Sequence, residues 1–376
     1  MSTGARLERS REEAAMAGEE NGTLRITWEE PRGFIGLSLK IALLSLLTLG
    51  LYAFWGKVEV RRRIWHAIRV NGEPLEYTGT GKELLLGFLL AVGLLLVGVI
   101  AYSVIMLALF GDTMLARLMD LPLYALLFWL TGLAIYRARR YRLRRTQWRG
   151  IRGTMSGSPA RFANTWFATA LLVPLSLGWA LPWRQVKLYR ILTNETRIGT
   201  TPLRFAKGAS ASALYPPFAL VWFAIFMVVL LLAGAVIVLY ADISRRGEGL
   251  VLHAIPTSAK VYAAFALLLA LAAIYLLLRY HAHRLNWMAG NTFLQDGHFT
   301  LNFQAGDLFR LVVGNALILL LSLGVLLPVV QKRLVRHFVR YLGFEGTVDL
   351  AAITQAGDTL EKTGEGLAEA FDIDAF

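Results

Sequence analysis

The side chains that come nearest to a metal site are His281 and His283, with Asn286 just beyond them and Asp296 and His298 further on. Imidazoles and a carboxylate are the ligand types that zinc and other transition metals take. A second echo in the chain argues against that reading. Tyr136 to Arg140 resembles Tyr280 to Arg284, so the two histidines fall where Arg137 and Arg139 stand and read as interfacial cations. His66, His253 and His337 each stand apart and read the same way. No metal and no cofactor is expected. There is no H-E-x-x-H pair, so the chain is not itself a zinc protease of that type. The absence of cysteine excludes disulfides, thiolate sites and a cysteine nucleophile. No G-x-S-x-G, Walker A or dinucleotide fingerprint occurs, and Gly79-Thr-Gly81 is too short to count as one. Ser176 and Ser322 sit in L-S-L-G, with Thr48 in the same place of a third copy; a hydroxyl there suits backbone groups freed beside the glycine. No catalytic residue is expected, and the chain reads as a non-enzyme.

What remains is positive charge. Arg61, Arg62 and Arg63 form one run, and nine arginines without an acid lie from Arg137 to Arg161, Arg139 and Arg140 among them. Arg190 and Arg336 recur at corresponding places. Near an anionic leaflet each exposed cation contributes about 1 kcal/mol. Their plain role is to set topology; their sharper role is a surface for lipid head groups or a partner protein. Trp55 and Trp183, with Trp148 and Trp287, suit an interfacial aromatic belt. Lys40 is the one clear charge inside an apolar block, either a functional group or a side chain snorkelling to the nearby interface.

The elements that hold these residues are membrane helices. Of 376 residues 56% are hydrophobic and 17% charged, and the apolar ones lie in blocks at 33–54, 84–110, 121–136, 162–183, 213–240, 258–280 and 307–330. The pattern is not that of an outer-membrane barrel. The first 32 residues are charged and mixed, so no cleavable signal peptide is expected. The formal charge of +13 is uneven: residues 343–376 carry eight acids and one base, Lys362. Nucleic acid is not expected as a partner, since no binding module is visible.

The blocks repeat. Shifted by 128 residues, Phe34, Gly50, Trp55, Val58, Arg62 and Arg69 fall on Phe162, Gly178, Trp183, Val186, Arg190 and Arg197. A further shift of 146 carries Ser176, Gly178, Pro182, Gln185 and Arg190 onto Ser322, Gly324, Pro328, Gln331 and Arg336. The module is an A segment ending in L-[ST]-L-G, then spans B and C, twice in full, with a third A segment at the end. This divides the chain into a charged segment 1–32, repeats at 33–161 and 162–306, a partial repeat at 307–342 and an acidic tail 343–376, expected to be cytoplasmic, partly helical and docked on the basic collars. The fold class is an all-α polytopic membrane protein with short β-hairpin-like collars at the membrane surface, at 69–81, 197–208 and 294–306; Asn71-Gly72 marks the first. Gly50, Gly178 and Gly324 are expected to break helical geometry, with close packing through a small residue as the alternative.

The run TLGLYAFWGKVEVRR with the downstream NGEPLEYTGTGKELLLGF resembles the YjgN-like family of bacterial inner-membrane proteins, a family of unknown function. Thr48, Leu49, Gly50, Tyr52, Trp55, Arg61, Arg62, Tyr77 and Gly79 carry the resemblance, which covers roughly residues 30–345. Val329 stands where the other copies have tryptophan. The resemblance implies a bacterial inner-membrane location and supplies no activity; a membrane metallopeptidase is one partner it points to.

Two topologies are open. If every block crosses, there are seven spans. The Arg-rich loops then fall on both sides of the membrane, against the rule that short basic loops are cytoplasmic. If the A segments re-enter, four spans remain and both termini are cytoplasmic. The expected function is a non-enzymatic scaffold or accessory subunit for a membrane partner, touching membrane lipids. A transporter or channel for a lipid or small amphiphile is the alternative.

Overall fold

The computed structural model describes residues 22, 24–111, 113–246 and 255–355. The helices are α1 (Phe34–Leu47), α2 (Ala53–Ala67), α3 (Gly81–Phe110), α4 (Met114–Arg145), α5 (Pro159–Leu175), α6 (Leu181–Asn194), α7 (Tyr215–Arg246), α8 (Thr257–Gly290), α9 (Ala305–Leu321) and α10 (Leu327–Tyr341). The strands are β1 (Ile26–Trp28), β2 (Ile68–Val70), β3 (Glu73–Pro74), β4 (Glu76–Tyr77), β5 (Thr146–Trp148), β6 (Ile151–Met155), β7 (Thr196–Ile198), β8 (Thr201–Phe205), β9 (Thr292–Leu294), β10 (Gly297–Leu301) and β11 (Leu342–Glu345).

Four helices, α3, α4, α7 and α8, are long and apolar enough to cross a membrane. At 30 to 34 residues and ~1.5 Å per residue each exceeds ~45 Å, more than a hydrocarbon core of ~30 Å. They coincide with the blocks at 84–110, 121–136, 213–240 and 258–280. The stretch from Arg137 to Arg145, expected as loop, is the last part of α4. Arginine is a good helix former, and cations suit the negative C-terminal end of a helix. The remaining helices have 14 to 17 residues, about 21–26 Å.

The strands obey one rule. β4 through β11 form an eight-stranded antiparallel sheet in sequence order, and β1, β2 and β3 form a second, three-stranded one. Tight turns join β2 to β3, β5 to β6, β7 to β8 and β9 to β10. A pair of helices joins β1 to β2, β4 to β5, β6 to β7, β8 to β9 and β10 to β11. Adjacent antiparallel strands lie ~5 Å apart, so both ends of every helical pair return to the same rim, and the tight turns occupy the opposite rim. At Asn71-Gly72 and Arg149-Gly150 both turn residues have positive φ, the type I′ geometry that matches strand twist. The sequence pattern gives isolated collars; the structure pairs them into two sheets, with β2 and β3 of the first collar in the three-stranded one.

The start of the acidic C-terminal segment closes this sheet. β11 pairs with β10, and Val348 and Ile353 are buried with Leu294 and Phe344. The chain then runs along the tight-turn rim. Asp349 N donates to Gln295 Oε1 (2.6 Å), Thr200 N donates to Thr354 O (3.0 Å), and Arg152 N donates to Gln355 Oε1 (2.8 Å). The expected helix further on, in residues 356–376, lies outside the described residues.

Each short helical pair bends at L-[ST]-L-G. Leu49, Leu177 and Leu323 have φ near +50° (51°, 50° and 49°), and Gly50, Gly178 and Gly324 follow at 91°, 88° and 84°. The hydroxyl holds the bend from both sides. Thr48 Oγ1 donates to Leu44 O and accepts from Tyr52 N; Ser176 Oγ donates to Val173 O and accepts from Ala180 N. Ser322 Oγ donates to Ile318 O and accepts from Leu326 N. The hydroxyl thus satisfies a backbone donor that the broken helix leaves open. Ser176→Ala is expected to lower stability by about 1 kcal/mol, the usual loss of a capping hydroxyl, whereas Ser176→Thr retains it; thermal unfolding in detergent measures both.

Candidate functional site

The basic ends of the long helices meet the sheet, and most arginines there are engaged in holding the chain. Arg62 donates to Gly79 O (2.9 Å) and Arg190 to Ala209 O (2.5 Å), each fixing the chain just before a long helix. Arg140 donates to Gly157 O and lies over the Tyr136 ring at 5.2 Å. Arg63 pairs with Glu59 at 3.3 Å, and the same carboxylate takes Lys40 at 3.1 Å. Lys40 therefore ties α1 to α2. Arg145 pairs with Glu83 at 2.8 Å across the bases of α3 and α4. Arg336 joins Lys332 on Glu30, at 3.3 and 2.8 Å.

Two arginines do something else. Arg139 lines a cavity of about 280 Å³ between α2, α4 and α10, together with Lys57, Arg61 and Arg142. Its Nε is shut away from solvent and has no hydrogen-bond partner among the described residues. Arg61 also reaches Tyr77 Oη at 3.5 Å. Arg137 stands at one end of an open cleft of about 390 Å³ between α3 and α4, whose other lining side chains are aliphatic apart from Tyr102.

That cleft exists because the two long pairs pack differently. α8 turns Ala259, Ala266 and Ala273 inward at seven-residue spacing, and α7 and α8 pack along their length. Small side chains let the backbones approach. α3 and α4 are splayed, touching over a much shorter stretch.

The aromatic residues divide. Trp55 and Trp183 are partly exposed, Trp55 close under Gly81 and Trp183 with Lys187 Nζ 4.7 Å from its ring. Trp148 is buried instead, and its indole donates to Val70 O (3.2 Å), linking the two sheets. Trp287 packs on Phe205 at 5.8 Å. The apices of the short pairs are bare: Leu49, Leu177 and Leu323 are 95%, 75% and 91% exposed. Gly50, Gly178 and Gly324 lie beside them, Gly178 near Trp222.

Among the described residues no three of His, Asp and Glu come together as metal ligands. His283 lies 3.3 Å from Ala213 O. His337 stacks on Phe303 at 5.1 Å, and burial holds it below its usual value, with Arg340 acting the same way and Asp307 against it. Burial likewise lowers Arg184, which lies over Trp166 at 5.2 Å. Two features had no signal in the sequence. The cavity gathers residues from three distant segments, and the cleft depends on how far two helices splay.

The chain belongs to the DUF898 family, described as bacterial protein of unknown function, whose model matches residues 30–370. No curated protein and no solved structure matches it. With its four long apolar helices it is a membrane protein of that family.

Glu30 gives the site a pH signature. Burial alone would raise its carboxyl, but hydrogen bonds from Lys332 and Trp28 and the charges of Lys332 and Arg336 hold it below 4.5. A carboxylate with a lowered folded value contributes stability above its unfolded value and loses it as pH falls through the folded one. The pair is half exposed, so the contribution is at most ~1 kcal/mol. Glu30→Gln should unfold earlier than the parent at pH 7, and the difference should shrink as pH falls below 4.5 through the lowered folded value, measured by thermal unfolding across pH.

Proposed function

We propose that this protein is a non-enzymatic scaffold or accessory subunit of the bacterial inner membrane, presenting its sheet at the cytoplasmic surface to a membrane partner. The observation that carries the reading is the single rim from which every helical pair leaves and to which it returns. A sheet pinned this way to four long helices is a rigid platform. Its outer rim, strapped by residues 346–355, faces away from the helices. The basic residues gather at the helix-bearing side, where anionic head groups lie. The TLG signature with Trp55 supports the finer assignment as a YjgN-like member. A membrane metallopeptidase remains one candidate partner.

The same rim supports the re-entrant topology. The short pairs are too short to cross twice, and their apices expose leucine. Burying one such side chain is worth ~1.5–3 kcal/mol, so lipid is the favourable surrounding. In this reading α3, α4, α7 and α8 cross, the three short pairs dip in and return, and both termini are cytoplasmic. The matching bend in all three supports the reading of the A segments as copies of one module.

A second reading, a transporter for a lipid or small amphiphile, is favoured by the apolar cleft between α3 and α4 with Arg137 at its end. An acyl chain suits the cleft, and the guanidinium suits a phosphate.

Two measurements test these readings. Affinity purification in mild detergent with mass spectrometry should recover a stable stoichiometric protein partner; recovery of lipid with no protein favours the second reading. For topology, Ser156→Cys and Ser210→Cys should resist impermeant thiol reagents in intact cells, while Ser258→Cys at the far end of α8 is labelled. Labelling at 210 but not at 156 would restore seven crossings.

A further inference from the structure

We propose that the cavity between α2, α4 and α10 binds a phosphate-bearing anion, with an anionic phospholipid head group as its source. Lys57 and Arg61 reach it from α2, and Arg139 and Arg142 from α4, whereas α10 contributes Gln331 and Val335. Four cations therefore line a space of about 280 Å³, with no carboxylate among the described lining residues. That is close to the lower end of the range for small-molecule sites, roughly 300 Å³, and suits a head group better than a large ligand.

Two neutral polar groups at its edge, Trp65 and Thr146, are already matched to each other. Trp65 Nε1 donates to Thr146 Oγ1 (2.8 Å), which donates in turn to Arg142 O (2.8 Å). The charged group that this leaves for recognition is Arg139. Arg139 differs from Arg62, Arg140 and Arg190, whose guanidinium groups close on backbone carbonyls. Among the described residues no carbonyl or carboxylate closes on the Arg139 guanidinium, and the side chain lines the cavity. A guanidinium presents paired donors that match phosphate oxygens, and a bound phosphate supplies the acceptor that Arg139 lacks among the described residues.

The walls identify the source. Val60, Ile64 and Leu143 line the cavity beside the cations, so it offers an apolar surface next to a cationic one, at the level where helices meet sheet. A phospholipid has that same division at its head group. This site does not depend on the scaffold reading: loss of lipid with an unchanged partner in purification separates the two.

The test uses the full chain in mild detergent. It is titrated with phosphatidylglycerol, with zwitterionic phosphatidylcholine as control, and separately with inorganic pyrophosphate. Binding is read by native mass spectrometry and by the unfolding midpoint. Phosphatidylglycerol should be retained and should raise the midpoint of the parent protein more than phosphatidylcholine does. Arg139→Gln should weaken that binding about tenfold or more, whereas Arg197→Gln, an exposed cation of the sheet, should leave it unchanged. A response to pyrophosphate and not to the lipid would assign the cavity to a soluble phosphate compound. If Arg139→Gln does not fold, Lys57→Gln on the facing helix carries the same comparison. Equal responses of parent and cavity variants to both anions overturn the proposal.

Discussion

The pairing of adjacent antiparallel strands governs the whole molecule. Each of the five helical pairs is inserted between two hydrogen-bonded neighbours in a sheet. A hydrogen-bonded strand pair sets its members ~5 Å apart, so it fixes the separation of the helix bases without reference to what the helices do further out. Long and short pairs can then alternate on one frame. The arginines reinforce the same junction, since Arg62 and Arg190 grip the chain where it passes from strand to long helix. The buried polar links Tyr136 to Glu195 (2.6 Å) and Tyr280 to Gln185 (2.7 Å) brace long helices against α6 at that level. Strand pairing thus determines topology, and the side chains near the rim stiffen it.

The bends in the short pairs show how solvent shapes residue choice. A non-glycine residue at φ near +50° bears ~1–2 kcal/mol of strain, and in water asparagine is the usual way to reduce it. Leucine takes the position in all three bends. In the proposed placement these apices lie in lipid, where an exposed amide would lose its water hydrogen bonds at a greater cost than the strain. The neighbouring hydroxyls are tolerated there because each both donates to and accepts from backbone within its own bend. Hydroxyl, leucine and glycine in that order therefore read as a turn suited to an apolar medium.

Much of this was legible in the residues, and the remainder was not for physical reasons. L-[ST]-L-G and Asn71-Gly72 are local: backbone geometry dictates the residue at one or two positions. The long helices are legible because crossing a bilayer demands length and hydropathy. The continuous sheet is not, because strands of two to five residues carry too little alternation to signal pairing. Its last strand falls in a segment whose acidity suggested a peripheral tail held on the collars by charge, although Val348 and Ile353 are buried. Trp148 matches the composition of an interfacial belt but is used inside the protein. Among the arginines the sequence shows a uniform run. Only three-dimensional placement separates Arg140, closed on a carbonyl, from Arg139, which lines the cavity.

The asymmetry between the two long pairs indicates where the molecule's chemistry is concentrated. Alanines at seven-residue spacing let α7 and α8 close on each other along their length. α3 and α4 lack that closure, and two polar-apolar spaces border α4: the open cleft that ends at Arg137 and the cavity that takes Arg139. Two residues apart on a helix, these side chains project about 200° apart around the axis, so one faces the lipid-side cleft and the other the interior. A helix with a cation on each side at head-group depth can hold charge on both without bringing them together. The first long pair thus has the features of a lipid-contacting element, and the second those of a structural post.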